Sequence, residues 1–244
     1  MSVGAPRILV MLLAVLSATA CSGTKVTTQS FPQASRYQVH KIAIIPFETM
    51  ATPQVSEGSG PSFPVPPGVR RTDSVLSFPP AIDQPAQRTH LVPPAAGDKI
   101  TDLMWEKLRT KPGLQVLAPQ EAVRVSRELA GGAGSAGSIP AHHIAQRLRA
   151  DAALTGKVLV YQERVGSRLG ADPPAAVGFE LKLVAPDGMV LWEGNYYERQ
   201  RPMTEDLLGF VQRYGTFVTA DELAAYGATE LADDFPFGAA GERN

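Results

Sequence analysis

A lone cysteine, a pair of histidines, a glycine-rich run and an aromatic–basic stretch are where residue type and spacing could do chemistry in this chain. Cys21 is the single cysteine of 244 residues, so no disulfide framework is possible. Gly132–Gly137 (GAGSAG) spells GxGxxG. That pattern cradles a pyrophosphate only between a preceding strand and a following helix. A helical pattern precedes it here, so it reads as an interhelical loop. His142 and His143 are adjacent. On a helix they point about 100° apart and cannot chelate from one face as an i, i+4 pair can. They read as a solvated helix face. Ser22 and Lys25 have the SxxK spacing of a serine nucleophile and its lysine. No apolar pattern surrounds them to build a core, so they are set aside. Tyr196, Tyr197, Arg199 and Arg201 combine the residue types favoured at interface hot spots. They are the candidate partner-binding residues, the alternative being an edge strand protected by charge. No nucleophile comes with a recognisable base, and no metal or cofactor motif survives. The expectation is a non-enzymatic protein without a cofactor.

Position explains Cys21. Met1–Arg7 carries one basic residue, Ile8–Leu16 is unbroken apolar sequence, and Ser17–Ala20 are small. This is the layout of a secretory signal. The apolar run is nine residues, against the roughly 20 that span a bilayer. Residues 1–20 are therefore expected to be cleaved, leaving Cys21 first. The formal charge of −1 gives no reason to expect nucleic acid as a partner.

The elements follow from periodicity. Residues 21–36 are polar and aperiodic and read as a flexible tether. A single domain is expected over 37–234. Val39–Phe47 is short, β-branched and closed by Pro46, a buried strand. Residues 48–96 hold ten of the chain's 21 prolines and read as an insertion that is neither core helix nor central strand. Such stiff segments either dock on partners or act as spacers. Ile100, Leu103, Met104 and Leu108 line one helix face; Ala122, Val125 and Leu129 line a second; Ile144, Ala145 and Leu148 line a third. A strand is expected at Leu114–Leu117 and a long one over Asp151–Arg164. Val177, Phe179, Leu181 and Leu183 then alternate with polar residues, Pro186-Asp187-Gly188 turns the chain, and Val190, Trp192, Gly194 and Tyr196 share a face of the return strand. Thr219 and Glu222 form a capping box for a last helix to about Asp233. Residues 235–244 are expected to fray. The fold class is α/β: a mixed sheet of about five strands with flanking helices, parallel at first, with a C-terminal antiparallel hairpin followed by a helix.

Three phrases carry a resemblance. Lys41–Phe47 (KIAIIPF) resembles "K-I-A-V-L-P-F", Asp151–Val158 (DAALTGKV) resembles "D-A-V-L-x-G-x-V", and Val184–Trp192 (VAPDGMVLW) resembles "D-x-x-T-G-x-V-L-W". These belong to bacterial envelope lipoproteins: the curli secretion lipoprotein, the lipoprotein activators of penicillin-binding proteins, and the N-terminal domain of TolB. The likeness covers about residues 38–232 without the proline-rich insertion. Ala18-Thr19-Ala20-Cys21 likewise resembles a lipobox, with Ala18 where Leu, Val or Ile is usual. The resemblance implies acylation of Cys21, palmitate included. Ser22, in place of Asp, implies sorting to the outer membrane, facing the periplasm. It also implies binding to envelope proteins in assembly, transport or secretion, or docking on a peptidoglycan synthase, rather than catalysis. A hydrolase is the remaining alternative.

Cys21→Ser should move the protein out of the membrane fraction. Equal membrane recovery of variant and wild type would remove the lipoprotein assignment.

Overall fold

A computed structural model describes residues 25–52, 54–55, 89–131, 139–200 and 215–238. Cys21, Arg201, the Gly132–Gly137 run and residues 56–88 of the proline-rich insertion lie outside them. The β-branched and alternating runs form a seven-stranded mixed sheet. Its strands are β1 (Val26–Ser30), β2 (Lys41–Ile44), β3 (Glu48–Thr49), β4 (Gln115–Leu117), β5 (Ala152–Gln162), β6 (Ala176–Val184) and β7 (Val190–Arg199). The spatial order is β1-β7-β6-β5-β2-β4, with β3 also on β5. The helices are α1 (Pro94–Leu108), α2 (Pro119–Leu129), α3 (Ala141–Leu148) and α4 (Ala220–Asp233). β2 lies parallel between β4 and β5, with Ile42 opposite Val116 and Ala152. Parallel neighbours need crossovers, and α1, α2 and α3 supply them. From β5 onward the strands are antiparallel. Pro46 has no N–H, so β5 changes partner there. The Ile45 N–H donates to Leu154 at 2.9 Å, and pairing resumes at β3, where the Met50 N–H reaches Val158 at 2.9 Å.

The alternation in β6 holds: Val177, Phe179, Leu181 and Leu183 are buried, as are Trp192 and Tyr196 on β7. α1 and α4 pack on this face through Ile100, Met104, Leu223 and Leu231. α3 covers the other face where it is lined by Ala43 and Ala153, against Ala145. α4 lies very close to the sheet. A Cβ at Gly227 would stand 2.4 Å from the Tyr196 ring, and one at Gly194 would stand 2.5 Å from Trp192. The capping box forms as read from the sequence: the Glu222 N–H donates to Thr219 Oγ1 at 3.2 Å and the Thr219 N–H donates to Glu222 Oε2 at 2.7 Å.

Three boundaries differ from the sequence reading. The tether over 21–36 gives way to β1, paired with β7 from Val26–Tyr196 to Ser30–Trp192, and then to a 3-10 turn at Pro32–Arg36. Without β1, the backbone of β7 would be an open edge. The insertion over 48–96 is shorter, because β3 is paired and Val92 and Ala96 are buried. Its ends meet: Gln54 pairs with His90 and Val55 with Thr89. The tail over 235–244 is packed at its start. Phe235 is buried edge-on to Trp192, with ring centroids 5.1 Å apart. Lys111 Nζ donates to its carbonyl at 2.7 Å, a cation closing the end of α4.

Because residues 55 and 89 are hydrogen-bonded neighbours, replacing 56–88 by a short turn should preserve a single cooperative thermal transition. Loop closure costs change by only about 0.6 kcal/mol per doubling of length. A non-cooperative melt would mean that the excised residues feed the core. Trp192→Ala should cost about 3–5 kcal/mol, a large part of an ordinary domain's 5–15 kcal/mol. Trp192→Phe should cost less, since Trp192 Nε1 finds no acceptor among the described residues. Urea denaturation measures both, and an unchanged midpoint for Trp192→Ala would contradict its burial.

Candidate functional site

Strand direction gathers one end of the sheet around the start of the folded chain. The Tyr197 N–H donates to the Lys25 carbonyl at 2.9 Å, and Ala176 stands opposite both Gln162 and Arg199. The beginning of β1, the end of β7 and the link from β5 to β6 therefore lie together, four residues from Cys21 in the chain. The β5–β6 link is itself a small hairpin arm. The Val165 N–H donates to the Pro173 carbonyl and the Asp172 N–H to the Val165 carbonyl, both at 2.9 Å, and Gly166–Ser167 pairs with Gly170–Ala171.

Polar side chains lock this end. Tyr196 donates to Glu198 at 2.7 Å, and Glu198 takes Lys25 in an ion pair at 3.1 Å. Glu198 accepts this pair while buried, which desolvation makes costly unless the charge is matched. Lys25 is thus held in a structural ion pair, and Ser22, the other member of the SxxK spacing, lies outside the described residues. Gln200 bridges to the approach of α4, donating to Thr216 at 2.6 Å and accepting from Val218 at 2.8 Å. Glu163 accepts from the first N–H of α4 at 3.0 Å. Arg168 reaches Glu222 at 2.7 Å.

A Tyr161–Asp221–Lys99 cluster joins β5, α4 and α1. Tyr161 donates to Asp221, and Lys99 Nζ lies 2.7 Å from the same carboxylate. Burial, then the hydrogen bond to Asp221, raises the Tyr161 phenol above its ordinary range. The Lys99 hydrogen bond, then that of Tyr161, lowers Asp221. The phenol stays neutral and the carboxylate ionised at pH 7. The trio therefore holds elements together and is not poised to move a proton.

The proposed partner residues separate. Tyr196 is buried in the core, which removes it from any partner surface. Strand alternation puts its neighbour on the opposite face. Tyr197 is 57% exposed, and its ring covers Gly178, where a Cβ would stand 2.8 Å from Cδ2. Arg199 is half-buried on the same outer face as Tyr197. Their strand is not an edge, since β1 covers it. Below Tyr197 this face is polar: Asn195 is exposed, and Glu193 pairs with Lys182 at 3.0 Å. The ring centroids of His142 and His143 are 4.1 Å apart on α3. Among the described residues no group of three or more His, Cys, Asp or Glu side chains could hold a metal ion.

Two features escaped the sequence reading. One is an apolar groove of about 410 Å³ lined by Ile45, Pro46, Val123, Ile139 and Ile144, with Glu48 and Arg127. It could hold an apolar side chain and offers no acid–base pair. The other is the hairpin arm, where Leu169 is 88% and Val165 56% exposed. Gly166-Ser167-Arg168-Leu169-Gly170 holds the turn residues that signal it. Among the described residues no helix is long and apolar enough to cross a membrane.

No family model matches the chain, and no curated protein does. Among solved structures it is similar to the PelC dodecamer from Paraburkholderia phytofirmans, at 15% identity and a TM-score of 0.41, covering 85% of this chain and 96% of that one. It is similar to lipoprotein GNA1162 from Neisseria meningitidis, at 14% identity and a TM-score of 0.35, covering 72% and 96%. Protein XCC0632 from Xanthomonas campestris is similar at 11% identity and a TM-score of 0.38, covering 80% and 82%. Likenesses this distant transfer no residue role.

Asp221 is ionised more readily in the fold than its ordinary value of 3.8. Its contribution to stability is therefore complete above that value and is lost as pH falls through the depressed folded pKa. Lys99 and Asp221 are both more than half exposed, so screening holds the pair to less than about 1 kcal/mol. Asp221→Asn should lower the urea midpoint slightly at pH 7 and converge on wild type as pH falls through the depressed folded pKa of Asp221. A variant with the same midpoint at pH 7 would exclude the pair from the stability of this end.

Proposed function

We propose that the protein is a lipid-anchored envelope protein whose domain binds another protein as a non-enzymatic part of envelope assembly, transport or secretion. The observation that carries this reading is the short apolar run closed by small residues and the solitary Cys21. The structure adds the reach of the anchor. Lys25 is four positions after Cys21, at most about 14 Å of extended chain, so an acylated Cys21 would keep the domain beside the bilayer. Acylation consumes the thiol and accounts for a single cysteine. Ser22 following Cys21 supports the outer membrane, with the domain in the periplasm.

The outer face of β7 and β6 is the surface proposed for the protein partner. Tyr197 gives it an exposed rigid aromatic, with Arg199 next along the same face and polar Asn195 beyond. Tyrosine and arginine bring large contact area with polar handles, the chemistry of interface anchors. A peptidoglycan synthase and a secretion or transport component are the two classes of partner.

Photo-crosslinking residues placed at Tyr197 and Asn195 in intact cells, followed by identification of the captured proteins, test the reading. A defined envelope protein captured at both positions, and not from Met189 on the β6–β7 turn, is the expected result. Absence of any protein adduct at both positions would overturn partner binding by this face. The identity of the captured protein separates the two partner classes.

A further inference from the structure

We infer that the hairpin arm between β5 and β6 is a membrane-contact element: Leu169 and Val165 rest in the lipid interface and hold the acylated domain in one orientation. The inference rests on the lipid-anchor reading of Cys21, and adds to it a surface and a direction.

Three observations lead there. The first is reach. Lys25 is fixed by the backbone bond from Tyr197 and by the Glu198 ion pair. The bilayer must then lie within about 14 Å of this end of the sheet. The second is exposure. Single exposed leucines are ordinary, but Leu169 at 88% and Val165 at 56% sit together on an arm that leaves this same end. Met189, an exposed apolar side chain elsewhere, is on the β6–β7 turn at the opposite end of those strands. The third is rigidity. The arm is closed by its own ladder, and its tip is tied back twice. The Phe217 N–H donates to the Arg168 carbonyl at 2.8 Å, and the Arg168 side chain reaches Glu222 at 2.7 Å. An arm held this way presents Leu169 to its surroundings and cannot fold it inward.

The charges here set the kind of contact. Arg164 and Arg168 each precede one residue of the apolar pair, but both guanidinium groups are engaged within the protein, Arg164 on the Gly166 carbonyl at 2.8 Å and Arg168 on Glu222 at 2.7 Å. Glu163, Asp172 and Glu222 outnumber the two arginines by one. Electrostatic attraction to anionic lipid is therefore weak. The acyl chains would supply the affinity, and the arm would supply orientation.

The test uses the mature acylated full-length chain in vesicles of phosphatidylethanolamine and phosphatidylglycerol. An environment-sensitive thiol fluorophore goes on Leu169→Cys, or on Met189→Cys as the distal control. Wild type should take up no fluorophore, because acylation consumes the Cys21 thiol. In vesicles with acyl chains brominated near the headgroup, the probe at 169 should be quenched at least about twofold more than the probe at 189. Both variants should melt as wild type does. Equal quenching at the two positions, with the protein still bound to vesicles, would overturn the orientation and leave the anchor standing. A wild-type chain that accepts the fluorophore would instead overturn the anchor reading on which this one rests.

Discussion

The contact that sets the rest of this fold is the seating of α4 on the Tyr196 ring. No side chain can intervene at Gly227, where even a Cβ would overlap the ring at 2.4 Å. Gly194 in turn leaves the space that Trp192 fills, with Leu231 of α4 above it. Trp192 then presents its ring to Phe235, two residues past the end of the helix. Two missing side chains on facing elements thus let a helix backbone and two large aromatics pack without a gap. In interiors as dense as organic crystals, such a seam fixes the separation of helix and sheet. α1 follows, because it packs beside α4 and shares its core residues.

That seam reaches the start of the folded chain. Tyr196 is the aromatic beneath Gly227, and its hydroxyl donates to Glu198, which pairs with Lys25. A side chain in the centre of the core is therefore two contacts from Lys25, the residue just before β1. β1 is an edge strand with solvent on its far side, and its polar Thr27, Thr28 and Gln29 could not hold it alone. The ladder to β7 and the buried ion pair do so. With Cys21 acylated as proposed, a strand in place of a loose tether would convert attachment into orientation of the domain, since only Ser22, Gly23 and Thr24 stand between Cys21 and Lys25.

Legibility in the sequence divided along physical lines. Elements that owe their form to local pattern could be read directly. The β6 alternation, the Pro-Asp-Gly turn with Gly188 at φ +90°, and the capping box of Thr219 and Glu222 all depend on residues within a few positions of one another. The mixed sheet with its parallel beginning and antiparallel end followed from the order of those elements. β1 was not legible, because Val26–Ser30 has a reason to be extended only when β7 lies beside it, some 170 residues on. Phe235 was missed for the same reason: a terminal aromatic reads as tail until Trp192 provides its partner. The boundaries of the insertion shifted because proline, taken as a breaker at 93 and 94, instead opens α1.

The candidate site shows the same division within two adjacent residues. Tyr196 and Tyr197 share a type and a neighbourhood, and composition alone ranks them equally as interface anchors. Strand geometry cannot treat them alike, since consecutive side chains point to opposite faces. Assigning Trp192 and Gly194 to the core face already committed Tyr196 to it. Tyr197 was left outside, lying over Gly178, where the missing side chain gives the ring its seat. The face of the sheet that α4 closes and the face that Tyr197 leaves open are set by one register. A single-residue slip of β7 would expose Trp192 and bury Arg199, and the packing at Gly194 and Gly227 forbids that slip. The interaction that stabilises the core is therefore also what determines which aromatic this protein can offer to another molecule.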